Sequence, residues 1–229
     1  MKILHLIFVG LCLWPLRSES YFRAYLPAPL LGQTRSFQLK RLGCFLSESD
    51  WKNGHFSDFP NLNFQTGMNE NDFKIVGTTP NGKTWQHKID VATLSDGFVF
   101  FTADLDQNGQ KDLILLTKTR GNGLAPQSEI LTVLFDAKGH PVFTAQAGYF
   151  EMTTNNQIED FLDLNHDGRA ELAVMHFGDG YWTTDLYEAR QASWQKVEGR
   201  FGQFTFPMLT RFTSRPNHKP VFVMDLPEH

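Results

Sequence analysis

A nine-residue acidic phrase occurs twice in the chain: Asp104-Leu-Asp106-Gln-Asn108-Gly109-Gln110-Lys-Asp112, and Asp163-Leu-Asn165-His166-Asp167-Gly168-Arg169-Ala-Glu171. Positions one, three and five carry oxygen donors, position six is a glycine and position nine is a carboxylate. A hard cation such as calcium takes six to eight oxygens. A short loop can supply them only if alternate side chains converge while the backbone turns sharply at a residue free to adopt positive φ. The expected ligands are the side chains of Asp104, Asp106, Asn108 and Asp112 with the carbonyl of Gln110 in the first loop. In the second they are Asp163, Asn165, Asp167 and Glu171 with the carbonyl of Arg169. Asp, Asn and Gly also build ordinary turns through side-chain to backbone hydrogen bonds. Two copies of the full phrase are harder to assign to turns alone, since one copy arises by chance in roughly one chain per thousand of this length. Two Ca2+ sites are therefore expected.

The residues around the loops decide what kind of site this is. An EF-hand places a helix on either side and a bidentate acid at position twelve. Here position twelve is Leu115 in one loop and Val174 in the other. The flanking segments, Phe98 to Thr102, Leu113 to Thr117, Ile158 to Leu162 and Leu172 to Phe177, are short apolar runs, some rich in aromatic and β-branched residues. Runs of this length read as strands rather than helices. Four hairpins are expected beside them. Phe73 to Gly77 turns at Pro80-Asn81-Gly82 and returns as Lys83 to Val91, and Leu131 to Phe135 turns through Asp136 to Gly139 into Pro141 to Phe143. Thr183 to Tyr187 turns near Gln191 to Trp194, and Leu209 to Thr213 returns as Pro220 to Met224.

The phrase Asp-x-Asp/Asn-x-Asn/Asp-Gly-x-x-Asp/Glu followed at once by an apolar strand resembles the FG-GAP or integrin alpha-type repeat, called the VCBS repeat in many bacterial secreted proteins. The resemblance covers about residues 95–205, and the Phe-Gly and Gly-Ala-Pro signatures of that family are not evident. It implies calcium-binding loops between the first two strands of each blade of a β-propeller. The loops start 59 residues apart, a plausible length for one blade with an insertion. After loss of an amino-terminal leader, the chain holds at most about four such blades. The expected fold is thus all-β, a small or incomplete propeller-like array of antiparallel hairpins carrying two strand-loop-strand calcium motifs.

At the amino terminus, Lys2 precedes an apolar stretch from Ile3 to Trp14, and the small residues Ser18 and Ser20 precede Tyr21. That pattern reads as a signal peptide over residues 1–20. An extended arm over 21–34, containing Pro27, Pro29 and Gly32, and a single domain over 35–229 follow. Export is consistent with calcium, because extracellular modules work with weak sites where the ion is abundant. No further apolar run is long enough to span a membrane once the leader is removed. Removing Lys2, Arg17 and Glu19 takes the net charge from −4 to −5. No basic stripe points to nucleic acid. Cys44 would be the only cysteine left, and is expected as a buried thiol among Leu42, Phe45 and Leu46.

No nucleophile elbow and no zinc spacing among the eight scattered histidines supports a specific enzyme chemistry. No catalytic residue can be nominated. A glycine-rich aromatic patch, Phe177-Gly-Asp-Gly-Tyr181-Trp182, offers Tyr181 and Trp182 as contacts for a partner. The function expected is an exported, calcium-stabilised β-repeat module that binds a protein or carbohydrate partner or serves as a scaffold. The alternative is a secreted hydrolase or other enzyme built on a propeller-like platform.

Overall fold

The computed structural model describes residues 30, 35–45, 50, 53–66, 73–89, 97–118, 128–148, 150, 157–178, 181–211 and 221–223. The expected leader, the carboxyl-terminal tail and, Leu30 apart, the arm lie outside them. The fold is all-β and every strand pairing is antiparallel.

A five-stranded sheet forms the middle layer. Its spatial order is β2 (Lys40–Phe45), β6 (Phe98–Ala103), β7 (Asp112–Lys118), β8 (Ser128–Phe135) and β9 (Pro141–Gly148). A second sheet repeats that order with β1 (Arg35–Ser36), β10 (Phe161–Asp163), β11 (Glu171–Gly178), β12 (Tyr181–Arg190) and β13 (Ser193–Val197). It is extended along β12 by β16 (Met208–Arg211) and β17 (Val221–Val223). A third, three-stranded sheet consists of β3 (Leu62–Thr66), β4 (Phe73–Thr78) and β5 (Thr84–Ile89), and β14 (Gly199–Phe201) pairs β15 (Phe204–Phe206) as a separate hairpin. None of the sheets closes on itself.

Packing explains the unbroken apolar runs. In β6, Val99 and Phe101 face the second sheet, where they meet Phe161, Leu172 and Val174, while Phe98 and Phe100 face the third sheet, where they meet Phe64, Phe73 and Ile75. Strand β7 does the same, with Ile114 and Leu116 on one side and Leu113 and Leu115 on the other. A strand covered on both faces has no polar side to alternate with. The interior toward the third sheet is aromatic: Phe100 lies 4.5, 5.1 and 5.2 Å, ring centre to ring centre, from Phe45, Phe56 and Phe64. The outer face of the second sheet is covered in turn by Leu30, Phe204, Phe206 and Met208.

The four hairpins expected from sequence are present as β4–β5, β8–β9, β12–β13 and β16–β17. Tyr181 and Trp182, nominated as partner contacts, are the first residues of β12, paired with Gly178 and Phe177 of β11 on one side and with Arg211 and Thr210 of β16 on the other. Their side chains lie outside the described set. Cys44 packs half-buried against the core between the two larger sheets but is disulfide-bonded rather than a free thiol.

Candidate metal centre

Each acidic loop joins corresponding strands of the two larger sheets, β6 to β7 and β10 to β11. Because those sheets stack in the same order, the two loops lie side by side. Leu105 of the first loop is fully buried in the shared core, its carbonyl accepts from Ala170 N at 2.8 Å, and Gln107 Nε2 donates to Gly168 O at 2.6 Å. The loops turn alike: position four has positive φ in both, 61° at Gln107 and 59° at His166, and the glycines at position six have 84° and 82°. Sparsely populated backbone repeated at matching positions marks an imposed loop shape, in which glycine at position six removes the steric penalty.

In the first loop the proposed ligands converge. Oxygens of Asp104, Asp106 and Asp112 all lie within 4.8 Å of one another. Asp104 accepts from the backbone N–H groups of Asn108 at 3.0 Å and Gly109 at 2.8 Å, while Asn108 Oδ1 accepts from Gln110 N at 2.7 Å. Asp112 has no exposed surface; its two oxygens accept from Leu105 N and Phe135 N, each at 2.8 Å. Burial pushes its carboxyl up to about 7, against those two bonds, with Asp106 and Asp104 adding like-charge repulsion.

Asp106 is the decisive residue. It is 7% exposed, and its Oδ2 accepts from Ala192 N at 2.6 Å, in the β12–β13 turn of the neighbouring sheet. Its Oδ1 is buried and has no hydrogen-bond partner. A buried carboxylate oxygen without a donor costs several kcal/mol unless something positive meets it. An oxygen-only donor set crowded by like charge, with one orphaned lone pair, matches what a hard divalent cation needs.

The second loop is less converged. Its position three is Asn165, so a third carboxylate would have to come from Asp167, and that side chain turns to its own neighbour Arg169, 3.4 Å from Nη1 and 2.8 Å from the backbone N. Asn165 and Asp167 are both exposed. Position nine again goes inside: Glu171 is fully buried, its Oε2 accepts from Leu164 N at 2.6 Å, and its Oε1 has no partner. Burial pushes its carboxyl up to about 8, and Asp167, Asp163 and Glu188 push the same way. Glu188, across the strand pair from Glu171, is held by Arg190 at 2.7 Å. Asp163 accepts from Gly168 N at 3.3 Å. Among the described residues, only the first loop gathers three carboxylates at one point.

The sequence pattern pointed to the three carboxylates that the first loop gathers. It missed that position nine is interior in both copies and that Asp106 ties one sheet to the next. It also missed Asp58, whose oxygens are held by Lys40 at 2.6 Å and by Lys111 of the first loop. The adjacency of hydrophobic and acidic residues in Asp104-Leu105-Asp106 was the available signal for the inter-sheet tie, since Leu105 had to go inward.

No family model matches the chain, and comparison with curated proteins and with solved structures returns no match. Support for the FG-GAP-like reading therefore comes from the loop phrase and the strands that flank it.

Proposed function

We propose that the protein is an exported calcium-binding module of FG-GAP-like repeats, an incomplete propeller-like stack that acts by binding a partner or as a scaffold. The observation that carries the metal part is the buried, unpartnered Asp106 Oδ1 within 4.8 Å of the oxygens of Asp104 and Asp112. Calcium there would be held by Asp104, Asp106, Asn108, Asp112 and the Gln110 carbonyl; it would neutralise the crowded carboxylates and fix the seam between the sheets. The second ion would use Asp163, Asn165, Asp167, Glu171 and the Arg169 carbonyl, with the exposed Asn165 and Asp167 swinging inward to join it.

The structure's chemistry favours a clamp over a sensor. The loops are pinned to each other and to core strands, so the ion has no mobile helix to move. Export follows from the amino-terminal pattern and suits weak calcium sites.

The test is a thermal melt in chelator and then in 2 mM calcium. For a site with a dissociation constant of about 0.1 mM, mass action adds about 1.8 kcal/mol. In a chain of this size that raises the melting temperature by about 4–7 °C. An unchanged melt would remove the metal reading.

A further inference from the structure

Beside the first acidic loop, an open groove of ≈ 340 Å³ runs between the third sheet and the β8–β9 turn. Its lining includes Trp85, Pro80, Phe135, Asn61 and the loop residues Gly109 to Lys111. We propose that this groove binds a neutral saccharide, one sugar ring lying against Trp85 with its hydroxyls on the side chains of Asn61 and Gln110. The proposal deepens, and rests on, the reading of the protein as an exported binding module.

The chemistry of the lining selects this ligand class. Asp58 and Lys111, the charged side chains that line the groove, are paired with each other, and Lys40 takes the second Asp58 oxygen at 2.6 Å. With those charges satisfied internally, neither an anion nor a cation gains much on entering. What remains free is amide and indole chemistry. The side chains of Asn61 and Gln110, and the indole N–H of Trp85, take no hydrogen-bond partner among the described residues. Asn61 engages the fold through its backbone, its carbonyl accepting from Thr78 N at 3.2 Å. Amides that both donate and accept, set around half-buried ring surfaces, suit a molecule with apolar C–H faces and hydroxyl edges. The volume lies at the small end of ligand sites, the size of one or two sugar rings.

Trp85 is also fixed in place. It pairs across the strand with Gly77, and a Cβ there would come within 2.2 Å of the indole ring, so glycine is what lets the ring lie flat on the sheet. Phe143 packs at 5.4 Å and Phe135 at 6.3 Å, ring centre to ring centre. A ring held this way loses little freedom when a ligand stacks on it. Gly109, Gln110 and Lys111 belong to the first acidic loop, so the same ordering that calcium imposes on the loop sets part of the groove's lining.

The experiment is a titration of the protein, in calcium and in chelator, with maltose, cellobiose, lactose, mannobiose and chitobiose up to 50 mM, followed by intrinsic tryptophan fluorescence and calorimetry. At least one disaccharide should bind in calcium, and Trp85→Ala should weaken it about tenfold or more. Since Trp85→Ala removes packing, Asn61→Ala serves as the second variant: an exposed side chain with no internal partner, expected to melt as the parent does and to weaken binding about threefold to tenfold. No binding by any of the five, or binding unchanged in both variants, overturns the proposal. The calcium melt separates the two readings: sugar binding lost with the melt shift intact sinks the saccharide site alone, and a flat melt with sugar binding intact sinks the metal alone.

Discussion

Asp106→Asn should make the calcium-free protein more stable than the parent and remove most of the stabilisation that calcium brings. The side-chain oxygen that accepts from Ala192 N at 2.6 Å can be retained by the amide, so the tie between the sheets survives, weakened by about 1 kcal/mol because the acceptor is no longer charged. Against that loss stands relief of repulsion. Two unit charges at the 4.8 Å limit of the cluster interact by about 3.5 kcal/mol at an effective dielectric constant of 20. Asp104 is half-exposed, and solvent halves its share or more; Asp112 is buried but, with its carboxyl up to about 7, is only partly ionised at neutral pH. The combined relief is about 2–3 kcal/mol, leaving the variant ahead by about 1–2 kcal/mol in chelator, or about 3–6 °C of melting temperature. In 2 mM calcium that lead should shrink to near zero or invert, because the parent gains about 1.8 kcal/mol at a 0.1 mM site and the variant loses most of that gain. The assay is a matched pair of melts at pH 7.5. A variant that melts below the parent in chelator would refute the electrostatic reasoning. A variant that keeps the full calcium shift would refute the assignment of Asp106 as a ligand.

Stability in chelator should fall as pH rises from 5 to 8. Asp112 and Glu171 have folded-state values raised to about 7 and about 8, so the folded state holds protons that the unfolded chain has released, and their contribution is present at acid pH and lost as pH climbs through those values. The limiting slope is about 1.4 kcal/mol per pH unit per group; denaturant titrations across that range would expose the error if stability rose instead. Phe100→Ala should cost about 3–5 kcal/mol in urea denaturation, since its ring is fully buried among Phe45, Phe56 and Phe64; a cost under about 1 kcal/mol would mean that the aromatic layer is not the core of that interface. Asn165→Asp should tighten calcium at the second loop by about fivefold while destabilising the chelated protein by less than about 1 kcal/mol, because position three is exposed there and its new charge faces Asp167 in solvent. Calorimetric titration reads both effects, and an unchanged second affinity would show that Asn165 stays outside the coordination shell.

The strand frame was legible because its signals are local. A tight turn such as the one after Thr79, closed by the 2.9 Å bond from Gly82 N to Thr79 O, announces itself in three residues. The cluster of Asp104, Asp106 and Asp112 was legible for the same reason, since all three belong to one short loop. What could not be read was pairing between distant segments. Strands β1 and β2 are neighbours in sequence, yet one joins the second sheet through Arg35 and Asp163 and the other joins the first through Lys40 and Thr102. Nothing in either segment's pattern states that choice; between the two strands the side chain of Gln157 clasps the backbone of Leu39 from 118 residues away, at 2.8 Å in both directions.

The same long-range order explains why the acidic loop is repeated where it is. Two sheets stacked in the same strand order place corresponding connections at one end of the stack, so any loop between the second and third strands of one sheet meets its counterpart in the next. At that end the loops themselves join the layers. Leu105 supplies apolar contact, Gln107 and the Leu105 carbonyl supply hydrogen bonds, and Asp106 reaches the turn at Ala192. Carboxylates are a poor choice for sealing such a seam unless a cation joins them, since each buried charge costs more than one backbone hydrogen bond returns. Lysine or arginine could have neutralised the cluster, as Lys40 and Lys111 neutralise Asp58 a short distance away. Instead, Asp106 Oδ1 is left with no donor among the described residues. Among the described residues this is the one point where three carboxylates meet, and such a cluster could hold a metal ion.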